Sequence, residues 1–242
     1  MESLSLEQLS FRYDDKLILD GLDLYVKKGE FVSIIGPSGC GKSTLFRLIT
    51  GLEKLQQGMI RKEYEFVGYM PQRDALMPWR TILKNTTLPL ECKKVSKADA
   101  TAKSMALLKQ FGLDHYANNY PRDLSGGMKQ RVSFIRALNA SEDILLLDEP
   151  FSALDALTKI ELQDWLYNQA KSLNKTILFI THDVDEALYL SDRIYTVTET
   201  PIQQMHETVV PLEHPRIREN LGSEEIQKLK IDLLHLLQKG RS

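Results

Sequence analysis

Two kinds of apolar pattern alternate along this chain. Short unbroken runs give way to stretches in which apolar residues return every three or four positions. Residues 30–35 predict a buried strand, and residues 42–50 a helix that buries Leu45, Leu48 and Ile49, with Gly51 placed to end it. Residues 144–147 and 176–180 are short apolar runs bounded by polar residues, as central strands of a parallel sheet covered on both faces should be. Between them Leu162, Trp165, Leu166 and Leu173 recur at helical spacing, which predicts the crossover helix of a βαβ unit. The alternation argues for an α/β architecture.

From about residue 80 to 135 the pattern is helical, and an α-helical insertion in the α/β core is expected. Within it Ser96 is placed as an N-cap, Ala98, Ala102, Met105 and Leu108 form one stripe, and Gly112 suits the residue after the helix. Residues 4–13 and 22–26 alternate as antiparallel strands ahead of the core. From about 205 to 242 a C-terminal helical extension is expected, with Ile226, Leu229, Leu233 and Leu236 on one face packed against the core.

Composition excludes more than it selects. With 242 residues, 43% hydrophobic, 26% charged, 13 Gly and 2 Cys, the chain is neither disordered nor collagen-like nor disulfide-stapled, and a single domain with an insertion accounts for its length. The formal net charge of −2 supplies no field that would draw it to nucleic acid. Its longest strongly apolar runs are about four residues, where a membrane span needs about 18. The acidic start carries no secretory pattern, and Cys40 and Cys92 lack metal-type spacing, so a cytoplasmic, reducing setting is expected.

Against this background, Gly36-Pro37-Ser38-Gly39-Cys40-Gly41-Lys42-Ser43-Thr44 satisfies the phosphate-loop pattern and sits between the strand and the helix that such a loop requires. Its glycines let backbone N–H groups converge on phosphate oxygens at a helix N-terminus. Lys42 adds a point charge for the β and γ phosphates, and the Ser43 hydroxyl suits Mg²⁺. Asp148 and Glu149 close a buried strand at the edge where ligands bind in open α/β sheets; Asp148 faces Mg²⁺ through its water shell, and Glu149 is placed to polarise an attacking water. His182 ends another apolar strand and is expected at the same edge, near the γ-phosphate. Gln72 ends the strand-like stretch 66–70 and offers its amide to Mg²⁺ or water, although on its own a solvated glutamine is the plainer reading. Leu124-Ser125-Gly126-Gly127-Met128-Lys129-Gln130 opens a helix with the stripe Met128, Val132, Ile135 and Leu138, giving a second exposed helix N-terminus able to bind anions.

As a set, residues from about 4 to 200 resemble the nucleotide-binding subunit of an ABC transporter, and the stretch from Leu124 to Gln130 is the most discriminating part. The fold implied is a P-loop NTPase ABC ATPase core with an N-terminal antiparallel β subdomain and an inserted α-helical subdomain. By the resemblance, Tyr13 stacks on adenine, residues 36–44 cradle ATP, Gln72 is the Mg²⁺ and coupling glutamine, Asp148 the metal aspartate and Glu149 the catalytic base. Asp155, in Ser152-Ala153-Leu154-Asp155, lies on the loop between subunits, and His182 is the switch histidine. Two copies then pack head to tail, with Ser125, Gly126 and Gly127 of one covering the ATP of the other, on the cytoplasmic face of the membrane beneath integral permease subunits and, indirectly, a solute-binding protein.

The segments Leu76-Met77-Pro78-Trp79, 148–155 and 182–187 are similar to importers of nitrate, aliphatic sulfonates and taurine, with carriers of a thiamine pyrimidine precursor closely related. Apolar residues at 76–79 are ones that a chain without a partner would rarely expose. The link between Gly58 and Gln72 is short for the family, with residues 61–64 expected to join two strands of a trimmed β subdomain. A non-transport ABC ATPase of DNA repair or translation is the rival, although repair members carry long coiled coils and translation members two nucleotide domains per chain. A small-molecule kinase leaves residues 124–130 without a purpose.

Overall fold

A computed structural model describes residues 2–141, 143–172 and 174–239. The described residues fall into two compact units, one drawn from Met1–Glu65 and Gln163–Ser242 and the other from Phe66–Leu162.

In the first unit the alternating segments pair as predicted. Strand β1 (Glu2–Tyr13) lies antiparallel to β2 (Lys16–Lys27) on one side and to β4 (Gln57–Lys62) on the other. Arg61 and Lys62 were expected in a link but belong to β4, opposite Ser5 and Leu4, because β1 is long enough to offer them a ladder. The apolar runs make a second layer. Strand β3 (Phe31–Ile35) lies between β7 (Thr176–Thr181) and β8 (Arg193–Thr196), parallel to both, and β9 (His206–Val209) closes the edge antiparallel to β8. Every residue of β3 and β7 is buried, which is why each reads as an unbroken run. Strand β9, largely exposed, shows that the extension from 205 opens with a strand rather than a helix.

Helix α1 (Lys42–Thr50) buries Leu45, Phe46, Leu48 and Ile49 and ends at Gly51, whose left-handed backbone lets its N–H reach the Leu48 carbonyl at 3.1 Å. Helix α6 (Val184–Leu190) is capped by Asp183, which accepts from the N–H groups of Asp185 and Glu186. The predicted C-terminal stripe packs as expected: helix α7 (Glu224–Lys239) sets Ile226 and Leu233, with Leu229 and Leu236, against Ile35, Leu188 and Ile194.

In the second unit β5 (Gly68–Met70) runs parallel to β6 (Ile144–Asp148). The strand begins two residues later than its apolar pattern suggests, with Phe66 exposed. Three helices form the insertion: α2 (Ile82–Cys92), α3 (Lys97–Gln110) and α4 (Gly126–Ala140), the last running past the expected end at 135. Ser96 caps α3 by accepting from Asp99 N–H, and Val132, Ile135 and Leu138 are buried while Met128 is half-buried. Buried Asn139 of α4 donates to the Thr86 carbonyl of α2 at 2.8 Å and to Ser104 Oγ of α3 at 3.0 Å, a polar bolt through the bundle. Helix α5 (Ala156–Ser172) follows β6 and precedes β7 in the chain; Leu166 is buried, Leu162 and Trp165 are half-buried, and Leu173 lies outside the described residues.

Candidate functional site

Fully buried β3 delivers the phosphate loop to the carboxyl edge of its sheet. Gly41 caps α1 at φ 114°, and no side chain closes the cap, so the first N–H groups of the helix face into the loop. A Cβ at Gly41 would stand 2.6 Å from Ile18 Cγ2, so both backbone angle and space require glycine there. Lys42 is only 6% exposed, and its ammonium lies inside the curl of the loop, donating to the carbonyls of Gly36 at 2.8 Å and Pro37 at 2.7 Å, with Cys40 Sγ at 3.7 Å. Ser38 and Gly39 are exposed, Ser43 is half-buried and Thr44 is buried. This is a cradle of backbone donors with one cation at its centre, fitted to a polyphosphate.

Ile35 pairs with Thr181, so the phosphate loop and His182 leave the sheet side by side, as predicted. Exposed His182 stands on a braced turn. Thr181 Oγ1 donates to buried Glu186 Oε2 at 2.5 Å and accepts from Asp183 N–H at 3.0 Å. Tyr13 ends β1 half-buried, edge-on to Phe11 with ring centroids 4.8 Å apart, and its hydroxyl donates to Glu53 Oε1 at 2.8 Å.

The second unit assembles the acidic residues. Met70 pairs with Leu147, so Gln72 and Glu149 emerge from adjacent strands at one carboxyl edge, and Gln72 Nε2 donates to Glu149 Oε2 at 3.2 Å. Asp148 is 2% exposed at the end of β6. Glu149 sits at φ +49°, a left-handed conformation that non-glycine residues enter only when their surroundings hold them there. Asp155 caps α5, accepting from Thr158 N–H at 3.1 Å; hydrogen bonds from the Thr158 side chain and backbone hold its carboxyl below the usual range. Ser125 caps α4, accepting from Met128 N–H at 3.4 Å, and Ser125 and Gly126 are exposed at the helix N-terminus. Gly127 is the point of close approach: a Cβ there would meet the Ala153 carbonyl at 3.1 Å.

Of the residues expected to hold a divalent cation, the first unit offers the Ser43 hydroxyl, and the second offers the Gln72 amide and the Asp148 carboxylate. Among the described residues no group of three His, Cys, Asp or Glu is placed to hold a metal. So few hard oxygen ligands suit Mg²⁺, which keeps several waters and is completed by phosphate oxygens, and do not suit a closed structural site. When bound, the ion neutralises charge on the phosphates.

Asn85 and Arg136 carry no sequence signal, and Gln130, which closes the Leu124 to Gln130 stretch, gives none of the bonds it makes. Buried Gln130 of α4 bonds to the turn after Glu149. Asn85, fully buried, accepts from Met77 N–H at 2.8 Å and donates to the carbonyls of Met77, Arg80 and Thr81, fixing the turn that presents Trp79. Arg136 donates to the carbonyls of Asp74 and Ala75 at 2.9 and 2.8 Å, and burial lowers its pKa. All three act on backbone outside their own helices, which periodicity does not register.

The first unit holds a strand, phosphate loop and helix built to bind a polyphosphate, and the second, taken by itself, holds two strand-end carboxylates and an amide. Residues 19–152 match the ABC transporter family. The chain is 43% identical over 240 residues to the formylaminopyrimidine import ATP-binding protein of Halalkalibacterium halodurans, covering 98% of this chain and 96% of that protein. It is 41% identical to an aliphatic sulfonates import ATP-binding protein of Pseudomonas syringae pv. syringae, covering 92% and 91%. Among solved structures, the ATP-binding cassette MJ0796 in a dimeric post-hydrolysis state with ADP and Pi superposes with a TM-score of 0.78 at 30% identity, covering 87% of this chain and all of that one. The chain belongs to the ABC transporter family as an ATP-binding subunit. It binds ATP with Mg²⁺ and hydrolyses it, and the transporter family displaces the DNA-repair and translation alternative. Among the described residues no helix is long and apolar enough to cross a membrane.

Proposed function

We propose that this chain energises import of a small solute as one of two head-to-tail copies, peripheral to the cytoplasmic face of the membrane beneath permease subunits. The observation that carries this is the contact of Gln72 with Glu149 at the head of a segment that ends in Trp79, 73% exposed. A base that activates water is thereby joined, through seven residues, to an apolar surface turn fixed by Asn85 and Arg136. Beside that turn lies a groove of about 600 Å³ lined by Trp79, Leu83, Lys84, Val95 and Ala100, fitted to a short segment of a membrane partner.

On this reading Lys42 and the amides of residues 36–44 hold the phosphates, Tyr13 the adenine, and Ser43, Gln72 and Asp148 the Mg²⁺. Glu149 takes the proton of the attacking water and His182 steadies the γ-phosphate. Ser125, Gly126, Gly127 and Asp155 complete the ATP site of the other copy, so the whole chain is one nucleotide-binding domain whose helical part, about 80–135, serves the partner sites and whose C-terminal extension packs on the core. The solute belongs with those named for the relatives, an aliphatic sulfonate or a formylaminopyrimidine. The experiment is Glu149→Gln: with ATP it accumulates as a species of twice the monomer mass and does not turn over. Hydrolysis at the wild-type rate removes Glu149 from its role, and neighbouring reading frames without a permease and a solute-binding protein defeat the import reading.

A further inference from the structure

Gln130 is 5% exposed on the second turn of α4, and both ends of its amide are used across to the turn that carries Glu149. Nε2 donates to the Glu149 carbonyl at 3.1 Å and to Ser152 Oγ at 3.2 Å, while Oε1 accepts from Ala153 N–H at 3.0 Å. The Glu149 carbonyl also accepts from Ser152 Oγ at 3.0 Å and Ser152 N–H at 3.3 Å. Glu149 is therefore pinned twice, by its carbonyl to α4 and by its carboxylate to Gln72, at a left-handed φ that an unrestrained glutamate would leave. The same amide holds the loop that leads to Asp155, and Gly127 lets α4 approach that loop at Ala153.

We propose that Gln130 is a positioning residue for hydrolysis: it makes the start of α4, the Glu149 turn and the loop from Ser152 to Asp155 one rigid piece, and so sets the aim of the Glu149 carboxylate. This rests on Glu149 as the base. In the head-to-tail arrangement α4 begins at one ATP and Glu149 serves the other, so Gln130 is the bond through which the fit of one site reaches the chemistry of its neighbour. A side chain that only filled space here would be replaced by Met without consequence.

The test is steady-state ATP hydrolysis by the full-length chain. Gln130→Met and Gln130→Ala are expected to lower kcat about 10- to 100-fold with KM for ATP changed less than about twofold. In a Glu149→Gln background the same changes should add nothing to the residual rate, because there is no longer a base to aim. Gln130→Glu supplies a protonation readout: its introduced carboxyl is acceptor-only when ionised and regains a donor when protonated, so its rate relative to wild type should recover as pH falls toward about 5. Amide exchange at Ala153 should quicken about tenfold in Gln130→Met while the interior of α4 is unchanged, a result independent of turnover. Gln130→Met with kcat within about twofold of wild type, an equal loss in both backgrounds, or unchanged exchange at Ala153 overturns the proposal. Full activity of Glu149→Gln alone is a distinct result, seen before any Gln130 variant is made, and fails the base assignment instead.

Discussion

Lys42 illustrates how one residue is prepared for its ligand. Its ammonium is buried among loop carbonyls rather than waving in solvent, so little side-chain entropy remains to be lost when phosphate oxygens take their place beside it. Lys42→Ala removes this preorganised charge and is expected to cost about 3–4 kcal/mol in the transition state, a fall of a hundredfold or more in kcat/KM for ATP measured by phosphate release. Gly41→Ala meets two obstacles, a φ of 114° and Ile18 Cγ2 at 2.6 Å, and should weaken nucleotide binding measured by titration calorimetry even though no functional atom is removed. Lys42, Asp148 and Glu149 stand out in the sequence by type and spacing, and their places, inside the phosphate loop and at the end of β6, were legible there. The bonding of Gln130 and Asn85 was not, because it reaches backbone outside their own helices, at Glu149 and Ala153 for the one and at Met77, Arg80 and Thr81 for the other.

Among elements, apolar periodicity located β3, β6, β7 and α1 because each is buried along its length or along one face. It missed β9, three of whose four residues are polar and which pairs antiparallel with β8. Helix α7 supports a stability contrast. Ile226, 1% exposed, packs on the core, and Ile226→Ala should cost about 2–5 kcal/mol in denaturant unfolding. Ile231 on the opposite face is 52% exposed, and Ile231→Ala should stay within about 0.5 kcal/mol of wild type.

The segment between β9 and α7 is tied down by His214. The Tyr167 hydroxyl accepts from Arg216 N–H and meets His214 Nδ1 at 2.6 Å, and Nε2 faces Asp192 at 2.8 Å. Burial, then the nearby Lys171 charge, holds the His214 pKa below its ordinary value. Burial opposes ionisation of Asp192, but Phe31 N–H and the Lys171 ammonium outweigh it and hold that carboxyl below its usual range. Both groups bind fewer protons folded than unfolded, so stability falls as pH drops below about 6.5 for the histidine and again below about 3.9 for the aspartate. Thermal melts should show Tm declining from pH 7.5 to 5.5, and His214→Gln should flatten that decline.

For the whole molecule, association is the decisive property. If the exposed Ser125, Gly126 and Asp155 complete a site on a second copy, turnover per chain must rise with protein concentration in dilute solution and level off once dimers dominate. A rate per chain independent of concentration would contradict it. Trp79→Glu should leave hydrolysis by the free chain unchanged within about twofold and abolish its stimulation by permease, because the residue projects from the turn held by Asn85 and Arg136.

That turn also makes the chain its own optical reporter. Of its two tryptophans, Trp165 is half-buried on α5 whereas Trp79 is largely exposed, so seating a partner over the indole at 79 should shift its fluorescence emission to the blue and shield it from iodide quenching. Assembly can then be followed in real time without attaching a dye, with Trp79→Phe as the silent control.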